Sequence, residues 1–164
     1  MNIRFANIKD INAICLLAEK IWPSTYREIL SEHQIKYMMD MMYSPSSLRT
    51  QMLEKKHSFI IVEENDQQIG FASYSISDKP GIYKLHKIYV MRTEQGKGLG
   101  KYIIDFIIND IKPHAATALQ LNVNRNNKAK KFYENLGFKV ISEEDIDIGN
   151  NYLMNDYVME KNLM

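Results

Sequence analysis

The stretch Ile88–Ile107, "IYVMRTEQGKGLGKYIIDFI", decides the fold. Ile88–Met91 is β-branched and aromatic, as in a buried strand. Leu99, Ile103, Phe106 and Ile107 then fall on one face of a helix. Between them lie Gly96, Gly98 and Gly100, three of the chain's seven glycines. Glycine loses more conformational freedom on being fixed than any other residue, so this density marks a backbone with a task. A helix start leaves about four N–H groups unpaired and carries roughly half a positive charge. Lys97 and Lys101 add to that charge. The turn Gln95–Lys101 is therefore a candidate cradle for a phosphate or pyrophosphate. A plain strand-to-helix turn holding nothing is the bland alternative.

Two better-known phosphate loops fail here. The dinucleotide pattern G-x-G-x-x-G needs its third glycine one residue later than Gly100. The nucleoside-triphosphate loop G-x-x-x-x-G-K-[ST] would need glycine where Gln95 stands and Ser or Thr where Tyr102 stands.

Upstream, "IRFA" reads as a first strand, and Asp10 as the cap of a helix that Pro23 stops. Ser31 caps a second helix through Met42, and a third runs near Ser46–Lys55. Strand patterns follow at Ser58–Glu64, from Gln68, and at Ile82–Met91, separated by turn residues. Downstream, Pro113 ends the helix and Thr117–Asn124 is a strand. Asn126 caps a helix with Ala129, Phe132, Tyr133 and Leu136 on one face, and Gly137 closes it. Strands near Phe138–Ser142 and Tyr152–Met159 complete the chain. The order gives one domain over 1–164, an α/β mixed sheet with helices packed on it.

Composition narrows the function. The chain has 164 residues and is 45% hydrophobic, enough for a core. A net charge of +1 gives no electrostatic case for a nucleic-acid binder. Cys15 is the one cysteine, which excludes an internal disulfide and a cysteine-rich zinc site. The four histidines lack metal spacing, so no metal is expected. No apolar run reaches the roughly 18 residues of a membrane span. No apolar signal core opens the chain, and a reducing cytoplasm is the expected compartment.

Two motifs now carry a resemblance. "IYVMRTEQGKGLGKYIIDFI" resembles the acetyl-CoA-binding motif of the GCN5-related N-acetyltransferase (GNAT) family, Q/R-x-x-G-x-G/A after a strand, here Gln95, Gly98 and Gly100. "LNVNRNNKAKKFYENLGF" is similar to the family's second signature, through Asn126, Ala129, Phe132-Tyr133 and Gly137-Phe138. The resemblance implies a mostly antiparallel sheet split between its fourth and fifth strands, with helices on both faces. It implies acetyl-CoA as cofactor and a primary amine of a small molecule or peptide as acceptor. A weaker likeness links "IDIGNNYLMNDYVMEK" and "IWPSTY" to a subgroup related to bacterial polyamine acetyltransferases. That subgroup's pattern often has Asp and Gln where this chain has Asn151 and Met154.

The family's roles transfer residue by residue. Gln95, Gly96, Lys97, Gly98, Leu99, Gly100 and Lys101 would hold the pyrophosphate. The backbone of Ile88, Tyr89 and Val90 would pair with the pantetheine arm, with an N–H, that of Val90, aimed at the thioester carbonyl. Asn126 would meet the arm from the other side, and Asn122 and Tyr133 are further candidates for cofactor binding. Tyr133 is the candidate general acid for the departing thiolate, because a phenol's pKa of about 10 lies close to that of an aliphatic thiol. It also lies on the apolar face, and a phenol can bury its ring while presenting its hydroxyl. His86, alternating with Ile88 and Val90, is the candidate base; Glu32 and His33 are runners-up. Trp22, Tyr26, Glu32 and Tyr152 are candidate pocket residues for a cationic amine. Dimers are common in the family, and the C-terminal strand is the edge expected to pair two copies. The competing class is a non-catalytic acyl-CoA sensor on the same scaffold; a nucleotide-binding protein is third.

Overall fold

The computed structural model describes every residue, Met1–Met164. Seven strands follow the sheet order β1-β2-β3-β4-β5-β7-β6. They are β1 (Asn2–Phe5), β2 (Ser58–Glu64), β3 (Gln67–Ile76), β4 (Ile82–Val90), β5 (Ala118–Asn124), β6 (Lys139–Gly149) and β7 (Tyr152–Asn162). The helices are α1 (Ile11–Tyr26), α2 (Glu32–Tyr43), α3 (Pro45–Leu53), α4 (Leu99–Ile111) and α5 (Ala129–Asn135). The pairs β1–β2, β2–β3, β5–β7 and β6–β7 are antiparallel, and β4–β5 is parallel. This is the mixed α/β sheet expected from the order of elements.

The chain forms two compact units. The first holds Met1–Ser75 and Lys87–Ile104. Its β2–β3 hairpin turns on Asn65 and Asp66, whose φ values of 51° and 60° are the left-handed pair of a tight two-residue turn. Helix α1 buries Ile11, Ile14, Leu17, Ala18, Ile21 and Trp22, the spacing of one apolar stripe. That stripe, with Tyr43 of α2, packs on aromatic residues of the strands. Trp22 lies 5.8 Å from Tyr89 between ring centroids, and Tyr43 lies 5.9 Å from Phe71.

The second unit holds Ile76–His86 and Asp105–Met164. Here β4 and β5 pair from Ile82 and Ala118 to Leu85 and Leu121. His86 and Asn122 are the next residues beyond that register. The β6–β7 hairpin turns on Asn150 and Asn151, again at positive φ. Lys130 sits 5.2 Å over the Tyr157 ring, and Lys161 donates to the Leu136 carbonyl, so α5 is fastened to β7 at both ends.

Four local expectations need correction. Helix α1 does not stop at Pro23 but runs to Tyr26. Proline loses one donor and crowds the carbonyl four residues before it, but its own carbonyl stays free to accept, and Arg27 N–H closes the last turn on it at 3.1 Å. Asp10 does not cap α1 through its side chain; it closes a capping box with Asn7 on the short 3-10 turn before it. Asn126 does not cap α5; Asn127 Oδ1 accepts from Ala129 N–H at 2.9 Å. Finally, β6 reaches Gly149, and β7 lies between β5 and β6. The sheet edge on that side is therefore β6, not the C-terminal strand.

Candidate active site

The glycine turn has the backbone its sequence requires. Gly96 and Gly98 take φ values of +78° and +82°, and a Cβ at either would meet nothing within 4 Å. Conformation, not space, demands glycine there. Leu99 then opens α4 with its side chain 2% exposed, so only its backbone belongs to the turn. Tyr102 N–H bonds the Gly98 carbonyl at 3.1 Å, closing the first helical turn. Lys97 is exposed, and its ammonium is 3.0 Å from Glu94, whose carboxyl it holds below the usual range. Gln95 and Lys101 are exposed beside it.

The end of β4 adds a second feature of the same unit. Met91 N–H donates to the Ile69 carbonyl of β3 at 2.8 Å. Successive residues of a strand send their N–H groups to opposite sides. The N–H groups of Val90 and Ile88 are therefore turned away from β3. An extended pantetheine arm needs such a row of strand donors and acceptors. The turn and this strand end together fit acetyl-CoA.

In the second unit, Tyr133 is 8% exposed, with its ring 5.2 Å from Phe132 and 5.8 Å from Phe138. His86 is exposed on β4. Asn126 is also exposed, in the loop before α5. Asn122 is committed at both ends of its amide. Its Oδ1 accepts from Lys84, and its Nδ2 donates to Asp156 and Glu144, each at 3.2 Å. Asp156 is 3% exposed, and burial pushes its carboxyl up and the Lys84 ammonium down. Glutamate 144 and Asp156 are register partners on β6 and β7, and the Asn122 amide bridges their like charges. Residue type alone gave no sign of this network. Tyr152 begins β7, half-buried.

The proposed acceptor residues of the first unit separate. Trp22 is 2% exposed and donates its indole N–H to Tyr43 Oη at 3.1 Å. It is core, and it cannot wall an open pocket. Tyr26 stacks on it at 4.4 Å and pairs its hydroxyl with Tyr89 Oη at 2.9 Å. Glu32 lies elsewhere, in a groove of about 1270 Å³ lined also by Glu19, Lys20, Arg27 and Asp40. Sequence reading placed Tyr89 here for its backbone and missed its side chain; the alternation Leu85, Lys87, Tyr89 on one strand face was the available signal.

The sequence model described as "Acetyltransferase (GNAT) domain" matches residues 26–160. A spermidine N(1)-acetyltransferase of Thermoplasma acidophilum is 26% identical over 98% of this chain and 96% of its own length. A ribosomal protein bS18-alanine N-acetyltransferase of Haemophilus influenzae is 33% identical, over 54% of this chain. The chain spans just over half of that relative, 56%. Among solved structures, the PaiA N-acetyltransferase of Thermoplasma acidophilum, in complex with coenzyme A, superposes with a TM-score of 0.81. It is 25% identical, and 99% of each chain is covered. The chain belongs to the GNAT acetyltransferase family, enzymes that move an acetyl group from acetyl-CoA to an amine.

Proposed function

We propose that the protein acetylates a primary amine of a polyamine, with the whole of 1–164 acting as one acetyltransferase domain. The observation that carries the reading is the end of β4, with the N–H groups of Ile88 and Val90 turned off β3 just before a positive-φ glycine turn at a helix start. The polyamine assignment is supported by the whole-length likeness to a spermidine acetyltransferase.

When bound, acetyl-CoA supplies an already activated thioester. The chain's own part is positioning, charge stabilisation and proton transfer. The N–H groups of Gln95–Lys101 hold the pyrophosphate, and the Val90 N–H stabilises the oxygen that gains charge. Tyr133 gives its phenolic proton to the departing sulfur. His86 takes a proton from the acceptor ammonium. Asn126 steadies the pantetheine arm, and Tyr26 and Tyr152 border the acceptor.

A thiol-release assay across an amine panel tests this. Spermidine and spermine should release CoA faster than an Ala-initiated peptide or free amino acids. Preference for the peptide would move the acceptor class to protein N-termini. Tight acetyl-CoA binding with no release from any amine would establish a sensor instead. Tyr133→Phe should lower kcat by roughly a hundredfold while acetyl-CoA still binds.

A further inference from the structure

We propose that Trp22, Tyr43, Tyr89 and Tyr26 form a hydrogen-bond chain that sets the end of β4, with Tyr89 as a positioning residue for the Val90 N–H. The proposal rests on the reading that this N–H serves the acetyl donor.

The first link has a direction that chemistry fixes. An indole N–H can only donate, so Tyr43 Oη accepts from Trp22. Tyr43 is 3% exposed, and a buried hydroxyl without a partner is costly, so its own hydrogen needs an acceptor. The Tyr89 hydroxyl is the other side-chain hydrogen-bond partner of Tyr43. Tyr89 Oη in turn meets Tyr26 Oη at 2.9 Å, so the links join Trp22, Tyr43, Tyr89 and Tyr26 in one run. Such chains polarise one another and hold their members more firmly than isolated pairs.

Packing alone does not explain the hydroxyls. The four rings, with Phe71, already touch at centroid distances of 4.4–6.4 Å, and phenylalanines would fill the same space. What the hydroxyls add is a fixed position. Tyr89 lies between Ile88 and Val90. On the β3 side its carbonyl presses so closely that a Cβ at Gly70 would stand 2.8 Å from it and 3.1 Å from Val90 Cγ1. One residue further, Met91 is tied to Ile69. The strand end is thus held by a backbone seat at Gly70, a ladder bond at Met91 and the hydroxyl chain at Tyr89. At the other end of the chain, Tyr26 is the last residue of α1, and its carbonyl accepts from Ile29 and Leu30 of the connection to α2. These contacts tie the Tyr89 side chain to that connection, one residue from the Val90 N–H. A displacement near 1 Å at such a donor can cost about a hundredfold in rate.

Tyr89→Phe and Tyr26→Phe test the chain because each keeps its ring. Each should lower kcat about tenfold with KM for acetyl-CoA within about twofold of the parent. The double variant should be no slower than either single, because the two hydroxyls act as one unit. Gly70→Ala should reproduce the kcat loss from the opposite side of the strand. Unchanged kcat in Tyr89→Phe, or single effects that multiply in the double, would overturn the proposal. Amide exchange provides a readout without any acceptor: the Val90 N–H should exchange faster in Tyr89→Phe than in the parent. Equal exchange rates would also overturn it. A parent that acetylates no amine but shows this exchange difference would sink the proposed reaction and leave the chain standing.

Discussion

Lys87 occupies the strand face between Leu85 and Tyr89, 7% exposed. Its ammonium donates to Gln51 Oε1 at 2.6 Å and lies 5.5 Å and 5.7 Å from the Tyr43 and Phe59 ring centres. An amide oxygen and two ring faces replace water poorly for a full charge. Burial, helped by the charge of Lys55, therefore pushes its pKa down to about 8. The unfolded chain holds that proton up to about 10.4. Between those values the unfolded state binds more protons, so this residue's contribution makes stability rise with pH. Below pH 8 the full penalty, at most about 3 kcal/mol, is present. Lys87→Met should therefore raise stability in denaturant titrations at pH 7 by about 1–3 kcal/mol. The advantage should shrink as pH approaches 10. An advantage that does not change between pH 7 and 10 would remove the buried-charge account. Nearby His57 is held down to about 4, by burial first and then by Lys87 and Lys55, so it stays neutral throughout this window.

At the scale of elements, the glycine turn and the second motif were legible because their chemistry is local. Positive φ at Gly96, Gly98 and Gly137 depends on little beyond the turn itself. The cap Ser31 is equally local, accepting from Gln34 N–H at 3.1 Å. What did not read was set at longer range. Pro23 continues α1 because Trp22 and Tyr26, on its two sides, are anchored by Tyr43 and Tyr89, far along the chain. The strand expected near Phe138–Ser142 runs on through a heavily charged second half, and Glu143–Gly149 is carried by its pairing with β7 and by Arg125 at 2.9 Å from Asp145. The side-chain roles of Tyr89 and Asn122 were hidden for the same reason. Because the loop's conformation is local, its disruption should be local too. Gly98→Ala forces an L-residue to φ +82°, a strain of about 1–2 kcal/mol. Calorimetric titration should show acetyl-CoA binding weakened by roughly tenfold, with the far-ultraviolet spectrum unchanged. Parent-like affinity would mean the turn is not part of the cradle.

At the scale of the whole molecule, the two ends of the sheet order are β1 and β6. Strand β6 carries Glu143, Glu144, Asp145 and Asp147, and like charges brought face to face disfavour pairing with a second β6. No helix is long and apolar enough to cross a membrane. The binding behaviour of the intact chain then separates the three phosphate-loop readings that the sequence raised. A ligand that binds only the folded state stabilises it by RT ln(1 + [L]/Kd), about 2.7 kcal/mol at a hundredfold excess over Kd. For a chain of this size that corresponds to a rise in Tm of roughly 5–10 °C. Acetyl-CoA and CoA should both produce it in thermal melts, and the rise should grow with the logarithm of concentration. ATP and NAD carry a pyrophosphate but offer no pantetheine arm to the Ile88 and Val90 N–H groups, which hold that arm in the proposed function. They also meet a turn whose glycine spacing fits neither of their own loops. Their shifts should stay within about 1 °C at the same excess. An ATP or NAD shift equal to that of acetyl-CoA would mean that the turn recognises pyrophosphate alone and that the end of β4 adds nothing to binding.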